Sequence, residues 1–345
     1  MNKVNHKSEI IEQLKHFRLI LSPMAGITDK PFRQLAKQHG ADYTVSEMLT
    51  SDPTLQNTRK TTQRSDHSGE QGLIAVQIAG SDPAQLAAAA QFHVGQGAQI
   101  IDINMGCPAK KVCNVLAGSA LLQNEKLVDD ILNAVVQAVD VPVTLKTRLG
   151  WDDEHKNIMT IAKMAERAGI AALAIHGRTR TQMYKGEAQY DLIRQVKQEL
   201  PIPVWANGDI ASPQKAAQVL ADTGADGILI GRGAQGNPWI FGDVKFYLET
   251  GTLPPPLPFQ AACDTILAHL RAMHDFYGEV GGVRIARKHI GWYLANLPDG
   301  EDFRKQINKI DHANQQFDTL AEFLRQQSEQ FEFWQRDYFQ AAHLT

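Results

Sequence analysis

Residues 158–178 read IMTIAKMAERAGIAALAIHGR, and the fold is decided there. Ile158, Ile161, Ala162 and Ala165 recur at the three-and-four spacing of one helix face. Gly169 supplies the left-handed residue that stops a helix, and Ala172–His176 follows as an apolar run of strand length. Outward from this stretch the same unit repeats. Gly40-Ala41, Gly97-Ala98 and Gly224-Ala225 stand ahead of Tyr43–Ser46, Ile100–Asn104 and Ile228–Gly231. Val141-Pro142-Val143 and Ile202-Pro203-Val204 open Val143–Thr147 and Val204–Asn207, with proline where no ladder donor is lost. Leu19–Pro23 and Leu73–Ile78 bring the strands to eight, with helical patterns such as Pro83–Gln96, Val128–Val139 and Pro213–Thr223 between most of them. Parallel strands on this alternating plan favour a closed (β/α)8 TIM barrel over an open doubly wound sheet.

Thr250–Pro258 holds Pro254, Pro255, Pro256 and Pro258 and reads as a stiff, extended connector. After it, Ala261–Tyr277, Val283–Leu294, Phe303–Ile310 and Thr319–Phe331 all carry helical periodicity. The expected organisation is a barrel over 1–249, a proline-rich linker over 250–258 and a small all-α helical domain over 259–345.

Composition removes other classes. Among 345 residues, 43% are hydrophobic and 21% charged, which describes a globular chain. No apolar run reaches the roughly 18 residues of a membrane span, and Met1–Lys15 lacks the continuous apolar core of a secretory signal. A cytoplasmic protein is expected. Lys and Arg (35) against Asp and Glu (38) leave a charge of −3, so any polyanion must be held by a local basic patch. Cys107, Cys113 and Cys263 match neither a disulfide framework nor a zinc knuckle, and no metal is expected.

Catalytic residues of such barrels sit just beyond the C-terminal ends of the strands. Those positions hold Pro23-Met24-Ala25-Gly26, Ser46-Glu47, Gln77, Asn104-Met105-Gly106-Cys107-Pro108, Lys146-Thr147-Arg148, His176-Gly177-Arg178, Asn207-Gly208-Asp209 and Gly231-Arg232-Gly233. Any one of them alone reads equally well as a structural hydrogen bonder; their convergence on one face argues for a site. The glycine turns after the last two strands suit a phosphate bound by backbone N–H groups, with Arg232 as the cation. Cys107, between Gly106 and Pro108, lies on a turn rather than in a core. An ordinary thiol is mostly protonated at neutral pH and can act as a general acid. Cys113 and Cys263 lie on helical patterns and read as small core residues.

Leu21-Ser22-Pro23-Met24-Ala25-Gly26, Asn104-Met105-Gly106-Cys107-Pro108, His176-Gly177-Arg178-Thr179, Asn207-Gly208-Asp209 and Ile230-Gly231-Arg232-Gly233 together resemble the tRNA-dihydrouridine synthase family. Arg284-Ile285-Ala286-Arg287-Lys288-His289 extends the likeness to its bacterial B branch and to almost the whole chain. The resemblance implies an FMN-dependent, NADPH-driven reduction of the C5=C6 bond of a D-loop uridine. Pro23, Met24 and Ala25 would pack beside the isoalloxazine, with Gln77 and Lys146 at its polar edge. His176 would lie beside the flavin or its phosphate arm; Asn207, Gly208, Asp209, Gly231 and Arg232 would hold the ribityl phosphate. Asn104 and Arg178 would face the uracil, and Cys107 would give C5 its proton.

The tRNA itself is expected on Lys110 and Lys111 and on a basic face of Arg284, Arg287 and Lys288. Those three stand at i, i+3 and i+4 in a stretch, Gly281–Asn296, without an acidic residue. Ile285, Ile290 and Trp292 would add apolar contacts. Cys113-Asn114-Val115 is less basic than the same loop in some relatives. The expected partner is tRNA, with no DNA or membrane, and the chain is expected to be a monomer. Two other readings compete. A flavin barrel acting on a free pyrimidine or enone leaves the helical domain superfluous, and a tRNA-binding module without catalysis leaves Cys107 and the glycine turns unexplained.

Overall fold

The computed structural model describes residues 3–55, 58–113 and 116–336, apart from the side chains of residues 3–5, 59–60 and 110–111. The described residues fall into two compact units. One runs to Ile210 and takes in Gln214–Gly231; the other comprises Ala211–Pro213 and the chain from Arg232 onward.

The first unit is the barrel. Its strands are β1 Leu19–Leu21, β2 Tyr43–Thr44, β3 Leu49–Thr50, β4 Ala75–Ala79, β5 Ile100–Asn104, β6 Val143–Arg148, β7 Ala172–His176, β8 Val204–Asn207 and β9 Gly227–Ile230. All pair in parallel, in the order β2-β1-β9-β8-β7-β6-β5-β4-β3. Two contacts close the ring: a parallel bridge from Val45 to Ala75, and Ser46 N–H donating to the Ala75 carbonyl at 3.0 Å. The strand expected over Tyr43–Ser46 is therefore one barrel position in two pieces. β2 serves β1, β3 serves β4, and Val45 and Ser46 turn the corner between them.

The helices form where the sequence signals them. Asp29, Asp82 and Asn124 cap Lys30–Gln38, Pro83–Gly95 and Glu125–Ala138 by accepting from backbone N–H groups three residues on. Gly169, at φ 91°, ends Ile158–Ala168. The N-terminal helix Lys3–His16 buries Ile10 and Leu14 in a cluster with Ile20, Tyr43, Ile100, Ala172 and Trp205. These residues lie at or near the starts of their strands, so that cluster fills the barrel end opposite the strand C-termini.

The second unit is helical. A long helix, Phe259–Leu294, is broken at Gly278 (φ 74°, ψ 177°), and its two arms coincide with the two periodic runs seen in the sequence. Gly300–Ile307 and Ala313–Ser328 pack on it around Ile266, Leu270, Ile290, Tyr293, Leu320 and Leu324. Packing places the break between the units at Gly231–Arg232, ahead of the proline run. Trp239 is buried with Tyr293 and Trp334 in the helical core, and Asp243 on the helix Ile240–Thr250 pairs with Arg336. The prolines lie inside this unit; Leu257 accepts from Trp334 N–H at 2.8 Å. Among the described residues no helix is long and apolar enough to cross a membrane.

Candidate active site at the barrel mouth

Strand register assembles the site. Gln77 on β4 pairs with Asp102 on β5, and Asp102 with Thr144 on β6. Two residues further along, Asn104 pairs with Lys146. Side chains alternate along a strand, so these five residues share the inner wall in two adjacent layers.

The lower layer holds a buried carboxylate. Asp102 accepts from Gln77 Nε2 at 2.7 Å and from Thr144 Oγ1 at 2.6 Å. Burial pushes its pKa up, against the pull of those two bonds and of the Lys146 charge. In the upper layer Asn104 Nδ2 donates to Gln77 Oε1 at 2.8 Å. Asn104 Oδ1 accepts from the N–H groups of Gly106 (3.1 Å) and Cys107 (2.9 Å). The other end of the Cys107 residue is fixed too: its carbonyl accepts from Ser119 N–H at 3.1 Å and Ser119 Oγ at 2.9 Å. Gly118, at φ +61°, permits this approach, since a Cβ there would come within 2.7 Å of the Cys107 oxygen.

Lys146 keeps part of its surface open, yet burial pulls it down to about 8, helped by the Arg148 charge and opposed by Asp102 and Cys107. Its Nζ has one long bond, 3.3 Å to Asn207 Oδ1, while Asn207 Nδ2 is taken by the Leu229 carbonyl at 2.8 Å. A cation drawn this low, with hydrogens to spare in a half-enclosed barrel, suits an electron-rich ring edge. The residues therefore fit a bound flavin. Arg148 is brought to about 10, by burial first. It spans the Gly106 carbonyl (Nε, 2.7 Å) and the carbonyls of Thr179 (3.0 Å) and Met183 (2.9 Å).

The first-strand loop is also tied. Met24 receives two turn bonds, from Ile27 and Thr28 N–H at 3.0 Å, and Gly26 N–H donates to Glu47, which Arg64 holds at 3.2 Å. Pro23 and Met24 are half-buried and Ala25 is exposed, and an added Cβ on Gly231 would touch Met24 Sδ at 3.5 Å. His176 lies beneath the Asn207-Gly208-Asp209 turn, where Gly208 has φ +129° and a Cβ would meet Ala188 at 2.7 Å. Arg232 belongs to the second unit, exposed at the head of the turn Arg232–Ala234.

Two expected roles change here. Arg178 is only 2% exposed and grips Asp209 with both Nη atoms, at 2.8 and 2.7 Å. Its remaining donors reach the Lys185 carbonyl at 3.1 Å and the Gly186 carbonyl. So Arg178 is placed as a brace rather than facing a uracil. Asp209 likewise uses its carboxylate on Arg178 and on Ala188 N–H (2.8 Å), which leaves its turn, not its charge, for a phosphate. Asn104 is bonded on both sides, with one amide hydrogen left over. Sequence reasoning missed Asp102, Thr144, Ser119 and the bracing role of Arg148. A signal existed for the first: an acidic residue inside the apolar run Ile100-Ile101-Asp102-Ile103.

In the helical unit Arg284 is exposed, but Arg287 donates to Asp311 at 2.7 Å and to the Ile310 carbonyl at 3.0 Å. Ile290 is in the core rather than on a contact face, and Ile285 packs against that core. Trp292 is half-buried, edge-on to His289 at 5.0 Å. The acid-free stretch was real, but its counter-charge arrives from Asp311, beyond the turn. The Lys110 and Lys111 side chains, and Asn114-Val115, lie outside the described residues.

Comparisons with known proteins agree with this geometry. A family model described as dihydrouridine synthase (Dus) matches residues 20–329. A tRNA-dihydrouridine synthase B of Xanthomonas campestris is 61% identical over 294 residues, 85% of this chain and 89% of that protein. The one of Pseudomonas syringae is 58% identical over 311 residues (90% and 92%), and that of Vibrio vulnificus 58% over 308 (89% and 95%). Among solved structures, a 2-naphthoyl-CoA reductase in complex with 2-naphthoyl-CoA aligns with a TM-score of 0.50 at 14% identity. That alignment covers 66% of this chain and 50% of the other, a likeness of fold alone.

Proposed function

This chain belongs to the dihydrouridine synthase family, flavin-dependent oxidoreductases that reduce uridine to dihydrouridine in tRNA, and from that premise we propose that it works with FMN and NADPH, with Cys107 as the proton donor. The observation that carries this reading is the register of Asn104 with Lys146. It sets the loop of a candidate acid beside a half-buried cation on the neighbouring strand.

A flavin held here would supply hydride for C6 of the uracil. Negative charge then grows on the uracil carbonyl side, and C5 needs a proton from the opposite face. Cys107 gives it from a residue held at its N–H by Asn104 and at its carbonyl by Ser119. Lys146 and Arg148 both interact electrostatically with Cys107, which puts two cations in the neighbourhood of the donor. Toward the cofactor, Lys146 and Gln77 would bind the ring's polar edge, while Pro23, Met24 and Ala25 pack beside it. His176, Asn207, Gly208 and Gly231 would line the phosphate arm, with Arg232, next in the chain, as its cation. Asn104 would offer its remaining hydrogen to the uracil. Arg284, Lys288, Lys110 and Lys111 are assigned to tRNA backbone, in a cytoplasmic monomer without DNA or membrane partners.

Heating the purified protein and identifying the released ligand tests the cofactor, with FMN the expected result. Release of no flavin overturns it. Nucleoside mass spectrometry of tRNA from a deletion strain tests the reaction and locates the uridine. A full complement of dihydrouridine in that strain overturns the assignment.

A further inference from the structure

We propose that Asp102 is a positioning residue of this reaction: it fixes which way the amides of Gln77 and Asn104 point, and it is the counter-charge of Lys146. The inference rests on the flavin reading above, and goes beyond it to a residue that touches neither substrate nor cofactor.

The polarity argument starts at the two ends of a hydrogen-bonded chain. At one end an ionised Asp102 can only accept, so Gln77 must turn Nε2 toward it, at 2.7 Å. Gln77 Oε1 then has to face Asn104, and accepts from Nδ2 at 2.8 Å. At the other end the N–H groups of Gly106 and Cys107 can only donate, so Asn104 must present Oδ1 to them, at 3.1 and 2.9 Å. An acceptor-only anion and donor-only backbone thus leave one arrangement for both amides. That arrangement points the second hydrogen of Gln77 Nε2 away from Asp102 and ties the Cys107 loop to the barrel wall.

Burial gives the carboxylate its leverage. Asp102 is 4% exposed, and its oxygens are met by Gln77 Nε2 and Thr144 Oγ1. Burial raises its pKa, and Lys146, in the layer above, is the charged group that opposes that rise. The charged groups acting on Lys146 are Asp102, Arg148 and Cys107; of the two fixed charges only Asp102 favours the protonated amine, and Arg148 opposes it. Removing the Asp102 charge therefore makes Lys146 lose its proton at lower pH.

The midpoint potential of bound FMN, followed spectroelectrochemically from about pH 6 to about pH 10, reads this without turnover, because the Lys146 cation favours the anionic reduced ring. The parental plot is expected to bend where Lys146 discharges. In Asp102→Asn the oxygen still accepts from Gln77 and the new amide donates to Thr144, so only the charge is lost. Its bend is expected about one pH unit lower. Thr144→Val, which keeps the charge, should bend at the parental pH. Asp102→Val removes the acceptor as well, and should lower the kcat of tRNA reduction about tenfold or more at an unchanged KM for tRNA. Should that variant fail to fold, the asparagine variant still decides. Parental protein that takes up no FMN overturns the flavin reading and the proposal with it. A parental bend that Asp102→Asn leaves in place, or that Thr144→Val moves equally, overturns the proposal alone.

Discussion

Cys107 lies on a loop anchored on both sides, and as the proposed donor it would need little rearrangement at the moment of proton transfer. Cys107→Ala is expected to leave flavin reduction by NADPH nearly intact and to suppress tRNA reduction by about two to four orders of magnitude. Stopped-flow measurement of the two half-reactions separates these effects, and undiminished product would remove the acid role. Arg232→Ala should weaken retention of FMN by roughly 10- to 100-fold, from the loss of one charge-assisted bond of about 1.5 to 3 kcal/mol. Equilibrium titration of the apo-protein checks it. Lys146→Met should change the rate of flavin reduction more than the affinity, since its single bond in the protein is long.

Elements of the helical unit carry their own pH dependence. The break at Gly278 separates two arms of the long helix that Gln316 rejoins, donating to the Val283 carbonyl at 3.2 Å while its Oε1 lies 2.8 Å from His274 Nε2. Deeper in, His269 Nδ1 sits 2.9 Å from the Tyr293 hydroxyl and its ring meets that of His289 edge-on at 5.0 Å. Burial brings His269 down to about 3 and pulls His289 well below the usual imidazole range. Both are neutral in the fold, whereas in the unfolded chain they take up protons near the ordinary imidazole value of about 6.5. The unfolded state therefore binds more protons as pH falls below that value. Stability is fully present above it and declines toward about pH 3, with a limiting slope of about 1.4 kcal/mol per pH unit for each histidine. Urea unfolding at a series of pH values should show this slope, and His269→Gln should remove about one proton from it. A slope unchanged by that substitution would place the acid sensitivity elsewhere. In the barrel, Glu70 runs the same way. Burial alone would raise it, but bonds from His67 and Arg33 and the Arg33 charge bring it to about 2, so its contribution is lost only in stronger acid.

For the whole molecule, a net charge of −3 means that tRNA must be held locally. Arg284 is exposed, and the Arg287 pair with Asp311, itself 78% exposed, is a surface pair worth at most about 1 kcal/mol, which a phosphate can displace. Replacing Arg284 and Lys288 by alanine should raise the KM for tRNA and flatten the salt dependence of binding by somewhat under one unit per lost contact. Flavin reduction by NADPH should not change. A parental salt slope in the double variant would move the RNA to the barrel-mouth lysines. Adding Arg287→Ala should contribute less than a free arginine would, because Asp311 already shares its charge.

The alternation of helix, glycine and strand was enough to specify a barrel, because each signal is local: an apolar period, a left-handed stop, a proline at a strand entrance. The strand-end places of Cys107, Lys146 and the glycine turns were legible for the same reason, since a barrel puts the ends of all its strands on one face. Local signals failed where the partner is distant in sequence. Arg178 reads as a free cation until Asp209, 31 residues on, takes both its Nη atoms. Arg287 reads as part of an unopposed basic face until Asp311 pairs with it. The proline run reads as a border until Trp239 packs with Tyr293 and Trp334. Asp102, an acid inside an apolar run, gains its meaning only when register sets it between Gln77 and Thr144. What the sequence determined by itself was the order of elements and the residues gathered at their ends. Only the tertiary structure decided which charges are spent on the fold and which remain for a ligand, because pairing depends on distance in space.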